Sequence, residues 1–170
     1  MSVNYDYDVI VVGVGGMGSA TVYQLASRGF RVLGLDRYNI PNRMGSSHGI
    51  SKIIRLAYHE DPSYVPLVHR SYELWHQLER LVGEQLFVQT GTIRGGPEQG
   101  PMFSGSLRAC RIHQLPHDIL DANDLKRRFP SYSVPPDTMA VVQPEGGFLL
   151  SEKCISSYVI AALELGAHVK

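Results

Sequence analysis

The feature that most constrains this chain is the string Gly13-Val14-Gly15-Gly16-Met17-Gly18, with glycines at G-x-G-x-x-G spacing between two segments of opposite character. Residues 7–12 are apolar and rich in β-branched side chains, the pattern of a buried parallel strand. Residues 16–28 put Val22, Leu25 and Ala26 on one helical face, and Gly29 suits the left-handed position that ends a helix. Residues 30–36 are a second apolar run, closing at Asp36. Strand, helix and strand in this order predict a β-α-β unit and an α/β fold.

Each glycine of such a unit has a physical reason. One makes the tight turn, one lets the backbone approach a pyrophosphate, and one lets helix and strand pack closely. The helix N-terminus then offers its unpaired amides to the phosphates. Asp36, about 20 residues further on, stands where a carboxylate accepts hydrogen bonds from ribose hydroxyls. An acid there favours an unphosphorylated ribose, so FAD or NAD rather than NADP. The motif with its neighbour Arg37 does not separate FAD from NAD, and a glycine-rich turn that binds nothing has the same spacing.

Composition excludes other classes. Lys plus Arg and Asp plus Glu both number 16 in 170 residues, so no overall basic field attracts nucleic acid or an anionic membrane. No apolar run approaches the roughly 18 residues of a membrane span. Residues 1–8 are polar and acidic, unlike a signal peptide, which predicts a cytoplasmic protein. Cys110 and Cys154 make neither a zinc cluster nor a disulfide scaffold. His59, His69, His76, His113 and His117 have no metal-ligand spacing, so no metal is expected.

Further along, residues 38–51 have loop chemistry, and residues 52–58 fit either a strand or a helical turn. Asp61-Pro62 reads as a cap and first position of a helix carrying Val68, Tyr72, Trp75, Leu78 and Val82, with Trp75 in the core. Strands are expected at 87–90 and 92–94, and helices at 102–113 and from Asp121 to before Pro130, with Arg127-Arg128 a solvated end. Residues 140–143 and 148–150 flank Pro144-Glu145-Gly146-Gly147 as if in a hairpin. Ser151 is expected to cap a last helix with the stripe Cys154, Ile155, Tyr158, Val159, Ala162 and Leu163. Residues 163–169 repeat the helix–glycine–strand grammar of residues 25–32, and stop one apolar residue into the strand. The chain therefore reads as the N-terminal portion of a longer protein.

Gly45-Ser46-Ser47-His48-Gly49-Ile50-Ser51-Lys52-Ile53-Ile54-Arg55, followed by Ala57-Tyr58, resembles the segment after the second strand in the monomeric sarcosine oxidase family. That family includes N-methyl-tryptophan and L-pipecolate oxidases. The resemblance extends through Tyr64-Val65-Pro66-Leu67, Leu74-Trp75, Thr90-Gly91 and residues 147–154. It implies a Rossmann-like FAD domain of the glutathione-reductase type, over residues 1–60 and 145–170, interleaved with part of a substrate domain over 61–144. It also implies a monomer, cytoplasmic or peroxisomal, that takes a small amino-acid substrate and O2. The implied reaction oxidises a secondary amine to an imine, with FAD as cofactor and H2O2 as the reduced product.

Residue by residue, the resemblance places Gly13, Val14, Gly15, Gly16, Met17, Gly18, Asp36 and Arg37 at the FAD fingerprint. Ser46, His48 and Ser51 fall in the stretch that approaches the flavin ring, and Arg55 matches the arginine that pairs with the substrate carboxylate. Lys52 takes a position beside the flavin, where better-known members carry arginine; it keeps the charge and loses the fork. Neither cysteine matches the family's flavin-attachment position. Taken alone, His48 also fits a bond to its own loop, and Arg55 an ion pair with Glu60 or Asp61. The rival functions are a dehydrogenase or deaminating oxidase with another acceptor, and a dinucleotide-binding protein without turnover.

Overall fold

The structure is a computed structural model that describes residues 5–170. The expectation for the polar N-terminal segment lies outside the described residues for Met1, Ser2, Val3 and Asn4. In chain order the elements are β1 (Val9–Val12), α1 (Gly16–Ala26), β2 (Val32–Leu35), β3 (Lys52–Ile54), α2 (Tyr64–Val82), β4 (Phe87–Gln89), β5 (Thr92–Pro97), α3 (Pro101–Ile112), β6 (Asp118–Asp121), α4 (Ala122–Arg128), β7 (Thr138–Gln143), β8 (Gly147–Leu149), α5 (Ser151–Glu164) and β9 (His168–Val169). They form two compact units. One comprises the residues up to Lys52, Trp75–Phe87 and Leu149–Lys170; the other comprises Ile53–Leu74 and Val88–Phe148.

In the first unit, β1, β2 and β9 form a parallel sheet with β2 in the middle. Val9 pairs with Val32 and Val12 with Leu35, while Leu33 and Gly34 pair with His168 and Val169. The strand expected to be buried is covered on one face only: on β1, Ile10 is 56% and Val12 85% exposed. Helix α1 covers one face through Val22 and Ala26, which share a core with Val32, Ala162 and Ala167. Gly34 permits that approach: a Cβ there would stand 3.1 Å from Val14 and 3.2 Å from Val22. Each fully buried valine or leucine contributes roughly 1.5–3 kcal/mol.

A second cluster in this unit joins Leu78 and Leu86 to Cys154, Tyr158 and Ala161, with Trp75 packed against it. The Trp75 and Tyr158 ring centroids are 5.3 Å apart. This packing differs from the boundaries expected near residues 60 and 145. The C-terminal part of α2 belongs with α5, and residues 53–60 belong with the second unit.

In the second unit β7 is the middle strand of an antiparallel sheet, with β5 on one side and β6 on the other. Its core gathers Leu56, Ala57, Val65, Phe103, Ala109, Cys110, Leu115 and Val141. Asp121 caps α4, its carboxylate accepting the Asp124 amide at 2.8 Å. Arg127 and Arg128 pair with Asp124 and Asp118 on the surface.

Four local expectations are corrected. Residues 140–143 and 148–150 are not a hairpin, since β7 pairs with β5 and β6 instead. Strand β6 was not expected; it offers only Ile119 and Leu120 as apolar residues and sits at the sheet edge. Asp61 accepts the Ser63 amide at 2.7 Å in a turn ahead of α2, which begins at Tyr64 rather than at Pro62. Ser151 is not a cap: Leu150 holds that position, and the Ser151 hydroxyl donates to the Gly49 carbonyl at 2.5 Å.

Candidate functional site

The glycine turn of the first unit continues the β1–β2 ladder, with the Gly13 amide donating to the Leu35 carbonyl at 2.7 Å. Gly13 has φ +91°, a conformation that glycine adopts freely and other residues rarely do. Gly18 lies so close that an added Cβ would fall 1.7 Å from the Gly13 carbonyl oxygen. Gly15 occupies the cap position of α1 without a side-chain bond to the first turn. The first-turn amides of α1 are therefore left to partners outside the helix.

Asp36 ties the turn to the end of β2. Its Oδ2 accepts the Val14 amide at 2.8 Å, and its Oδ1 accepts from the Tyr38 amide at 3.1 Å and from Asn42 Nδ2 at 3.3 Å. The Asp36 amide donates to the Lys170 carbonyl at 2.8 Å, fixing the residue from the β9 side. The Val14 amide first, and then the Tyr38 amide, hold its carboxyl below the usual range. It stays ionised, and Oδ2 retains acceptor capacity for a hydroxyl. Arg37 is exposed, with its guanidinium carbon 5.6 Å from the Tyr38 ring centre.

The loop of residues 45–51 meets the same turn through a residue that the sequence reading passed over. Ser47 Oγ accepts the Gly16 amide at 3.2 Å. The Gly-Ser-Ser-His string was a usable signal, but only contact geometry separates Ser47 from Ser46. At its other end the loop is held by α5. Glu152 accepts the Gly49 amide at 3.2 Å, and the Ser151 amide donates to the Ile50 carbonyl at 3.2 Å. The His48 Nδ1 donates to the Gly45 carbonyl at 2.7 Å, the local bond its position also allowed. Ser46, Lys52, Met17 and Gly16 line one cavity of about 270 Å³ together with Ser47. Ser51 is exposed beside it in sequence.

The residues of this unit fit a dinucleotide. The Gly13–Gly18 cradle has no room for a side chain at Gly18, the cap residue of α1 offers no side chain to the first turn, and an ionised acid closes β2. Cys110 and Cys154 are buried, and burial pushes their thiols up to about 11 and about 12, so neither is a reactive thiolate. Among the described residues no group of His, Cys, Asp and Glu is arranged to hold a metal ion. No helix there is long and apolar enough to cross a membrane.

Arg55 lies in the second unit and the glycine turn in the first. The chain is extended over Lys52–Ile54, which settles the strand-or-turn alternative, and Arg55 follows directly. Of its two possible partners it takes Glu60, with Nη2 at 2.9 Å from Oε1 and 3.2 Å from Oε2. Its guanidinium carbon stands 4.6 Å from the Tyr58 ring centre. A second guanidinium, Arg94, is close enough that burial first and the Arg55 charge second lower its pKa. Arg94 was not singled out from the sequence, because a lone arginine in a short strand carries no motif.

A β-α-β unit with a glycine cradle and an acid at the second strand end defines an α/β dinucleotide-binding protein. Residues 8–170 match the family model described as DAO, FAD dependent oxidoreductase, and the chain belongs to that family. It is 41% identical over 163 residues to monomeric sarcosine oxidase of Streptomyces avermitilis, covering 96% of this chain and 42% of that protein. It is 37% identical over 164 residues to N-methyl-L-tryptophan oxidase of Yersinia pestis, covering 96% and 44%. The open form of a NikD variant, an unusual amino acid oxidase essential for nikkomycin biosynthesis, superposes with a TM-score of 0.88 at 29% identity, covering 98% of this chain and 43% of that one. The chain thus spans less than half the length of the relatives it matches.

Proposed function

We propose that the full-length protein is an FAD-dependent oxidase of a secondary or N-methylated amino acid, producing an imine and H2O2. The observation that carries the reading is the Asp36 carboxylate, ionised at the end of β2 and bonded to the Val14 amide of a turn that admits no side chain at Gly18. Gly13, Val14, Gly15, Gly16, Met17 and Gly18 would cradle the pyrophosphate, and Asp36 with Arg37 would hold the ribose. Ser46, His48 and Ser51 would line the approach to the ring. Bound FAD supplies the hydride acceptor that a protein lacks.

Around it the chain's own groups orient and polarise. Lys52 would place a positive charge where anionic reduced flavin and developing peroxide gain from it. Arg55 would take the substrate carboxylate with its fork, whose direction Glu60 holds. The relatives named sarcosine oxidase and N-methyl-L-tryptophan oxidase support this substrate class. The covalent flavin link, where present, would involve neither Cys110 nor Cys154, both buried.

The test is purified full-length protein reconstituted with FAD and offered sarcosine, pipecolate and N-methyl-tryptophan. Flavin bleaching by one of them, with H2O2 formed in air, is the expected result. Bleaching that returns only with an artificial dye would identify a dehydrogenase, and no flavin retention at all would overturn the reading.

A further inference from the structure

We propose that Arg94 is a positioning residue for Arg55: by donating to His59 it makes that ring an acceptor, and so reserves the Glu60 carboxylate for Arg55. The proposal rests on the reading of Arg55 as the group that takes the substrate carboxylate.

Arg94 stands on β5, and its Nη2 lies 2.9 Å from His59 Nδ1. A guanidinium keeps all its protons in a protein, so Arg94 is the donor of this pair and Nδ1 the acceptor. A neutral imidazole that accepts at Nδ1 carries its proton at Nε2. Glu60 Oε2 stands 3.0 Å from the same Nδ1. Two acceptors face each other there with no proton between them, so that contact is not an ion pair. The proton that Glu60 needs comes from Arg55, which reaches both carboxylate oxygens.

The main chain that carries the ring is fixed in place. A Cβ on Gly105 of α3 would fall 2.3 Å from the His59 carbonyl oxygen, so α3 packs directly on the His59 main chain. Arg55 Nε and Arg94 Nε are both buried and without a partner among the described residues. Neither guanidinium is anchored through that atom, and the His59–Glu60 pair is what orients them.

Removing Arg94 reverses the tautomer. Nδ1 then carries the proton and donates to Glu60 Oε2, Arg55 shares its carboxylate, and the fork loses its fixed direction. Loss of one neutral hydrogen bond's worth of order corresponds to about a three- to tenfold change in affinity.

The experiment uses the full-length flavoprotein, with histidine ring nitrogens labelled and His59 assigned by His59→Gln, at about pH 8, above the ordinary histidine range. In wild type, Nδ1 should show the unprotonated shift. In Arg94→Met it should show the protonated one, with KM for the amino-acid substrate raised about three- to tenfold and kcat within about twofold. Arg94→Lys, whose ammonium reaches only one atom less far and still donates to Nδ1, should keep both the wild-type tautomer and KM. An unchanged tautomer in Arg94→Met overturns the proposal. So does an equal KM rise in Arg94→Lys with the wild-type tautomer kept, which would show that the tautomer does not set the affinity. An Arg55→Ala protein with unaltered KM overturns the underlying reading instead, and the tautomer measurement tells the two failures apart.

Discussion

The Asp36 carboxylate accepts the Val14 amide at 2.8 Å, joining the end of one strand to the turn that leaves its neighbour. The bond makes the acid part of the turn's own architecture as well as a candidate ribose ligand. Asp36→Ala should therefore weaken FAD retention by about 1.5–3 kcal/mol, or roughly 10- to 150-fold in Kd. Asp36→Asn, which keeps an acceptor oxygen, should lose less. Equilibrium titration of full-length apoprotein with FAD measures both; equal Kd values for wild type and Asp36→Ala would remove Asp36 from the site.

Glycine substitutions should rank by what the new Cβ meets. At Gly18 it meets a backbone carbonyl at 1.7 Å, and at Gly16 the Ser47 hydroxyl at 2.8 Å. A side chain can turn away and a backbone turn cannot. Gly18→Ala should cost at least the roughly 1–3 kcal/mol usual for overpacking and abolish flavin retention, with Gly16→Ala milder on both counts. Thermal melts with and without FAD would show the order, and the reverse order would contradict this geometry.

The β1-α1-β2 unit was legible because the glycine turn, the strand runs and the helix stripe all agree locally. So was Asp36, whose place follows from spacing. What escaped depends on contacts distant in sequence. Pro144-Glu145-Gly146-Gly147 has the chemistry of a tight turn, yet the ladder of β7 is with β5 and β6, where tertiary pairing overrides local preference. Ser151 looked like a cap, but its hydroxyl is spent on Gly49 in a distant loop. Ser47 and Ser46 are chemically alike, and only the fold gives the first to Gly16. For Arg55 the chain offers Glu60 and Asp61 equally; Asp61 is drawn into the turn at Ser63, which leaves Glu60.

Acid stability should show the Asp8–Arg31 pair. The Arg31 side-chain and backbone bonds lower the Asp8 carboxyl to about 2. A depressed acid contributes stability that is complete above its unfolded value of about 3.9 and is lost as pH falls towards the folded value. The stability difference between full-length wild type and Asp8→Asn should be constant above about pH 4 and shrink between there and about pH 2. Urea titrations across that range measure it. A difference that grew with acid would have the wrong sign for this pair.

Thiol chemistry should be silent in the native state. Cys110 and Cys154 are buried, with thiols raised to about 11 and about 12. At about pH 8 less than roughly a hundredth of either is thiolate. Ellman's reagent should label neither residue in the folded full-length protein and both after denaturation. Rapid labelling of one of them in the native state would show that its element opens.

The cations at positions 52 and 55 should separate by kinetic step. Lys52 opens β3 and is exposed, whereas the Arg55 side chain is only 16% exposed and held by Glu60. The extended backbone rules out the helical turn that would have set both on one side. Arg55→Ala removes a charged hydrogen-bonding fork worth about 1.5–3 kcal/mol, so substrate and simple carboxylates should bind roughly 10- to 150-fold more weakly. Glu60→Gln removes the anion that fixes the direction of the fork, so carboxylates should bind more weakly than to wild type. Lys52→Met should leave carboxylate affinity nearly intact and slow reoxidation of the reduced enzyme by O2, since its charge acts on developing anion rather than on substrate. Stopped-flow spectra of the three full-length variants resolve binding, reduction and reoxidation in one experiment. Acetate affinity unchanged in Arg55→Ala would return that residue to a structural ion pair with Glu60, and reoxidation unchanged in Lys52→Met would take Lys52 out of the chemistry.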